Sequence, residues 1–136
     1  MTYYYNYNTL FGNITIVTND KFLIGIIFGK EKMGIKKETA LIKEVKKQID
    51  EYSAGIRKDF NIPIKMIGTN FQIKVWKELT KIKYGEYISY QELAERIKNK
   101  NYARAVGMAN NKNPIPIIIP CHRVIGKNGD LIGYGG

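Results

Sequence analysis

The hydrophobic period of this chain changes near Met66, so its 136 residues must build two different kinds of layer. Before that point the pattern is mostly that of strands. "FGNITIVT" alternates in part, "ND" supplies a turn, and "KFLIGIIFG" follows. That order predicts a β-hairpin with a half-buried second strand. The tyrosines of "TYYYNYN" predict an edge strand. Their rings suit packing better than base stacking, because aromatic residues favour strands in any case. A helix is predicted from about Lys37 to Ser53, with Leu41, Ile42, Val45, Ile49 and Tyr52 on one face. Gly55 stands where a helix stop belongs. "NIPIKMIG" reads as a short strand or linker, and the boundary falls at about Met66. Residues 1–66 and 67–136 are thus the two expected domains.

Past the boundary, helix-start signals recur. Thr69 and Gln72 make a capping box ahead of Phe71, Val75, Leu79 and Ile82, with Trp76 expected in the core. Ser89 and Glu92 repeat the pattern ahead of Leu93, Ala94 and Ile97. "NYARAVGMANN" predicts one more short helix, ending before Asn113-Pro114. The two short helices, joined by a polar turn at Lys98 to Asn101, read as a helix-turn-helix. Ala103, Ala105, Gly107 and Ala109 on the second helix permit a close approach. That approach can serve tight packing on a neighbour or entry into a DNA groove.

A net charge of +10 favours a polyanionic partner, nucleic acid before an acidic membrane surface. Residues 68–136 carry about +6 of it, against +4 for the rest. No apolar run approaches the roughly 20 residues that span a bilayer, so no membrane partner is expected. The amino terminus lacks a basic start and apolar core, and one cysteine cannot close an internal disulfide. Both point to a reducing interior.

That cysteine, Cys121, stands beside the only histidine, His122, in "IPIIIPCHRV". The β-branched run before it predicts a buried strand that Pro120 would end. A thiolate is a nucleophile, and an adjacent base or positive charge promotes it. Four readings stand open at this level. The pair can be a buried small hydrophobe with a core histidine. A metal site is short of soft ligands, so no metal is expected. Cys-His hydrolase dyads are usually built from residues distant in sequence. The fourth reading is a thiol that itself accepts a group from a partner.

"IPCHRVIGKNGDLIGYGG" resembles the active-site segment of the O6-alkylguanine-DNA alkyltransferases, also called methylated-DNA–protein-cysteine methyltransferases. Upstream, "TNFQIKVWKEL", "YGEYISYQELA" and "ARAVGMANNKNP" resemble the family's helices in the same order. The resemblance covers about residues 68–136. It implies an α+β protein. An N-terminal ribonuclease-H-like β-sheet domain precedes a helical helix-turn-helix (winged-helix-like) domain that carries the active site.

By the same resemblance, Cys121 is the nucleophile and alkyl acceptor, and His122 the base that activates it through a water. Asn113 holds the site together. Tyr90 presses on the target nucleotide's phosphate, helps rotate it outward, and donates a hydrogen bond to guanine N3. Arg104 fills the gap left in the base stack. Val124 and Ile125 line the base pocket, and Tyr134, Gly135 and Gly136 close over it. Ala103, Ala105, Gly107, Ala109 and Arg123 join Arg104 at the DNA. The implied partner is double-stranded DNA containing O6-alkylguanine. The implied state is a monomer, with cooperative binding left open, in the cytoplasm at the nucleoid. No cofactor is implied. Relatives that bind lesions without repair usually carry tryptophan where Cys121 stands. The resemblance departs after Gly136, where the family continues with a lysine and a histidine-orienting glutamate. A naturally short member, a shortened chain, or a carboxylate from elsewhere in the fold are the three explanations. Asp130 is near in sequence.

Overall fold

The computed structural model describes residues 1–126, and the chain divides into two compact units, Met1–Met66 and Ile67–Gly136. Strands β1 (Tyr3–Thr9), β2 (Gly12–Thr18), β3 (Leu23–Phe28) and β4 (Ile35–Lys36) and helix α1 (Ala40–Ser53) form the first unit. The sheet order is β3-β2-β1-β4. β1–β2 and β2–β3 are antiparallel, and β1–β4 is parallel.

The tyrosine strand is not the edge that its sequence suggests: two residues of β4 pair with Tyr3 and Tyr4 on its outer side. The tyrosines pack, as strand aromatics do. Tyr4 is buried, the Tyr5 and Tyr7 rings lie 5.2 Å apart, and the ammonium groups of Lys37, Lys36 and Lys46 sit over Tyr3, Tyr5 and Tyr7. In the β2–β3 turn, Asn19 Oδ1 accepts from the backbone N–H groups of Lys21 and Phe22.

Helix α1 begins three residues later than its apolar spacing suggests, because the Thr39 side chain accepts from Ile42 N and caps it there. Ile42, Val45 and Ile49 bury its inner face. Gly55, at φ +78°, adopts the left-handed conformation that ends the helix. Buried Gln48 clamps the segment that follows. Its amide donates to Asn61 O and accepts from Asn61 N. That segment then runs beside β3, where Leu23 and Ile64 bridge in parallel.

The second unit contains α2 (Asn70–Leu79), β5 (Ile88–Ser89), α3 (Tyr90–Ile97), α4 (Ala103–Asn111) and β6 (Val124–Ile125). Thr69 and Gln72 close a reciprocal capping box at the start of α2. Ser89 caps α3 from its side chain alone; the Glu92 carboxylate accepts from Arg96 instead of turning back. Trp76 is 1% exposed, and its indole N–H donates 2.8 Å to Ala109 O, which fastens α2 to α4. A buried tryptophan contributes a large apolar area only where its N–H finds a partner.

The strand expected before Pro120 does not form. The run Ile115 to Ile119 is a compact turn, not a strand. Pro114, Pro116 and Pro120 remove the backbone donors that a strand ladder needs. The chain folds back instead, with Ile119 N donating to Ile115 O and Ile117 at φ 75°. Such a φ is strained for a β-branched residue. Burial of Ile115, Ile117 and Ile119 offsets that strain.

Candidate active site

Cys121 begins a 3-10 turn, Cys121–Arg123, that feeds directly into β6. Ile88 pairs with Val124, and Ser89 with Ile125, in parallel. Ser89 is also the cap of α3, whose first residue is Tyr90. A pairing of two residues on each side therefore brings the cysteine turn and the start of α3 together, although about 30 residues separate them in sequence.

Asn113 latches the turn in front of the cysteine. Its side-chain N–H donates 2.8 Å to Ile119 O, and its side-chain oxygen accepts 2.9 Å from Ile115 N. Cys121 N donates to the same Ile119 carbonyl at 2.8 Å. Burial pushes the Cys121 thiol up from its ordinary value. Hydrogen bonds from the Asn113 side chain and from the backbone N–H groups of Cys121 and His122 pull against that rise. His122 is half-buried. Burial, and then the positive charge of Arg123, bring it down to about 4. At neutral pH the pair is therefore a protonated thiol beside a neutral imidazole, which is the state in which histidine can take a proton.

Tyr90 is half-buried against α4. Gly107 lies beside the Tyr90 ring, and a Cβ added there would sit 3.5 Å from it, at ordinary van der Waals contact. Burial raises the Tyr90 phenol. A hydrogen bond from Asn110 opposes the rise, and the nearby Cys121 charge adds to it.

The residues expected at DNA divide between surface and interior. Arg104 and Ala105 are exposed on α4, and Ala103 is partly so. Ala109 is buried where the Trp76 indole meets α4, so its small size serves packing inside the unit, and Gly107 lies beside the Tyr90 ring. Arg123, expected at the DNA, is corrected to an interior residue. It is 8% exposed, donates 2.7 Å to Ile82 O, and lies over the Tyr84 ring. A buried guanidinium needs such partners. Val124 is fully buried in its pairing with Ile88, whereas Ile125 is half-exposed. Tyr134, Gly135, Gly136 and Asp130 lie outside the described residues.

Two residues escaped the sequence reading. Met108 is 64% exposed, one turn beyond Arg104 on the outer face of α4. Helical spacing from Arg104 could have found it. Asn110 is 1% exposed, and its side-chain N–H faces the Cys121 carbonyl at 3.4 Å. No local pattern announces that contact. Among the described residues, no group of three or more His, Cys, Asp or Glu side chains is placed to hold a metal ion.

Comparison with known proteins places this geometry. Residues 70–136 match the DNA-binding domain of 6-O-methylguanine DNA methyltransferase, and residues 2–66 match its ribonuclease-like domain. The constitutive methylated-DNA–protein-cysteine methyltransferase of Bacillus subtilis is 41% identical, over 100% of this chain and 88% of its own. The Mycobacterium leprae methylated-DNA–protein-cysteine methyltransferase is 44% identical over 93% of this chain and 76% of its own. Among solved structures, Mycobacterium tuberculosis OGT in complex with DNA superposes with a TM-score of 0.90 at 37% identity. That match covers 98% of this chain and 84% of the other.

Proposed function

The chain belongs to the 6-O-methylguanine DNA methyltransferase family, and we propose that it repairs DNA by taking an alkyl group from guanine O6 onto Cys121. The observation that carries this reading is the β5–β6 pairing, which sets Cys121 and Tyr90 at one place beside the α3–α4 pair.

The reaction is a single displacement. The Cys121 thiol gives its proton to neutral His122 through a water. The sulfur lone pair attacks the alkyl carbon, and a C–S bond forms as the C–O6 bond breaks. The electron pair of that bond leaves with guanine, which recovers a proton. A thioether and an ordinary guanine result, with no change of oxidation state, so the step needs no cofactor. The thioether does not revert, and one chain repairs one lesion. Asn113 holds the nucleophile turn, and its hydrogen bond favours the thiolate.

A stacked guanine cannot present its O6 atom to a buried sulfur. The target base therefore leaves the duplex, at a cost of a few kcal/mol that is lowest for a weakened pair. Tyr90 presses on the target phosphate and donates to guanine N3, and Arg104 fills the vacated stack. Ile125, with buried Val124 behind it, forms the wall nearest the base. α4 approaches the minor groove, where base readout is degenerate. That suits a protein that must search every sequence. The partner is a duplex containing O6-alkylguanine, met by a monomer in the cytoplasm.

A second reading, lesion binding without transfer, draws on the burial that raises the Cys121 thiol. Cys121→Ala separates the two. Transfer vanishes while duplex binding survives if Cys121 is the acceptor. Transfer that persists in the variant rules the first reading out.

A further inference from the structure

Met108 is 64% exposed on α4, one turn beyond exposed Arg104. Among the described residues of this unit, it is the one large apolar side chain that a helix leaves exposed. A lone exposed apolar residue is ordinary by itself. The neighbours of this one give it meaning. Arg104 stands four residues before it and Lys112 four residues after, both exposed, so a cation flanks it on either side over roughly 12 Å. The chain carries no Asp or Glu between Glu95 and Asp130. The other face of the helix turns Val106, Ala109 and Asn110 inward. An outer face that is basic at both ends and apolar at its centre fits a polyanion with an apolar interior, and a stacked duplex is one.

We propose that Met108 is a wedge that enters the minor groove beside Arg104 and holds the stack open while the target nucleotide is out. The proposal rests on the reading of α4 and Arg104 given above. The minor groove is roughly 6 Å wide, and a helix with its side chains is about 10 Å across. α4 therefore cannot sink into it, and only long side chains on its outer face reach the base edges. Residues four apart on a helix stand one above the other, so Arg104 and Met108 reach the groove as neighbours, about 6 Å apart along the axis. Arg104 fills the gap, and its charge is met by phosphates. Met108 lays apolar surface on the base pair next to the gap. An inserted apolar side chain unstacks a step, and its own burial offsets part of that cost. The thioether suits the task, because an unbranched chain with three rotatable bonds adapts to any base step. A rigid or branched wedge would favour some steps over others, which a search of every sequence cannot use. Ala105, exposed beside it, leaves room for the approach.

Extrusion separates this role from a contact that merely adds affinity. Single-turnover methyl transfer is measured at saturating protein on a duplex carrying O6-methylguanine and on the same strand alone, which has no duplex stack to hold open. In Met108→Ala the duplex-to-single-strand rate ratio falls about tenfold, which is what burying half of a methionine side chain contributes. Met108→Leu keeps the native ratio, because the apolar body is retained. Met108→Gln has a similar length and a polar end, and it lowers the ratio as alanine does. All three replacements are good helix formers, and thermal melting establishes that each variant is folded. A ratio unchanged in Met108→Ala, equal slowing on both substrates, or a Met108→Gln chain that matches the native one overturns the proposal and leaves the repair reading standing. An effect of Met108→Ala that emerges only when several chains share one duplex also overturns it, and assigns the methionine to a contact between copies. A native chain in which neither substrate methylates Cys121 overturns the repair reading, and the proposal with it.

Discussion

Ile88 and Val124 pair in parallel register, with Tyr90 two residues beyond one and Cys121 three residues before the other. The pairing involves two residues per strand, so its stability comes from what those residues bury. Val124 is fully buried and Ile88 nearly so. Val124→Ala should therefore cost about 2 kcal/mol in urea denaturation. It should also slow alkyl transfer, because the cysteine turn loses its anchor to α3. Unchanged transfer in a destabilised variant would mean that the pairing serves the fold alone.

Asn113 makes two hydrogen bonds across the turn before Cys121 and a third interaction that favours the thiolate. Asn113→Ala should cost about 2 kcal/mol, the sum of two ordinary hydrogen bonds. It should also raise the thiol further, since burial then acts with less opposition. Alkylation of Cys121 by a small electrophile across a pH series reads that shift directly. A thiol that titrates lower in the variant contradicts the assignment.

How much of this was legible beforehand depended on how far each cause lies along the chain. Thr69 and Gln72 cap a helix through residues three apart, and the helix starts where they stand. Cys121 and His122 are adjacent, and their chemistry is visible at once. Ile115 to Ile119 misled because β-branched residues signal a strand, while the neighbouring prolines, by removing donors, forbid its ladder. Arg123 misled for another reason. Its partner is the Ile82 carbonyl, 41 residues away, and a positive charge gives no sign of whether it faces phosphate or a buried carbonyl. Asn110 faces the Cys121 carbonyl from α4, a contact that no periodicity reveals.

Arg104 and Arg123 should separate cleanly in solution. Arg104 is exposed on α4, so Arg104→Ala should weaken duplex binding and reduce the salt dependence by about one counterion. Arg123 is buried on Ile82 O, so Arg123→Ala should lower the melting temperature and leave the salt slope unchanged. Binding isotherms at several salt concentrations, paired with melting curves, check both. A changed salt slope in Arg123→Ala would return that residue to the DNA surface.

The His122 imidazole is held near 4 in the folded chain, against an ordinary value of 6.5. Between those values the unfolded chain binds the proton and the folded chain does not. Folding stability should therefore be full above about pH 6.5 and fall as pH drops toward about 4. At the alkaline end the raised Cys121 thiol works in the opposite sense, because the unfolded thiol ionises first. His122→Gln should flatten the acid limb of a denaturation series and leave the alkaline limb in place. An acid limb unchanged in that variant assigns it to other groups.

The central claim is that Cys121 takes the alkyl group and keeps it. The direct test is a mass spectrum of the Cys121 peptide after the protein meets an excess of duplex carrying O6-methylguanine. One added methyl on that cysteine, saturating at one per chain however much duplex is supplied, is the predicted result. An unmodified Cys121 in a chain that binds the duplex would contradict it.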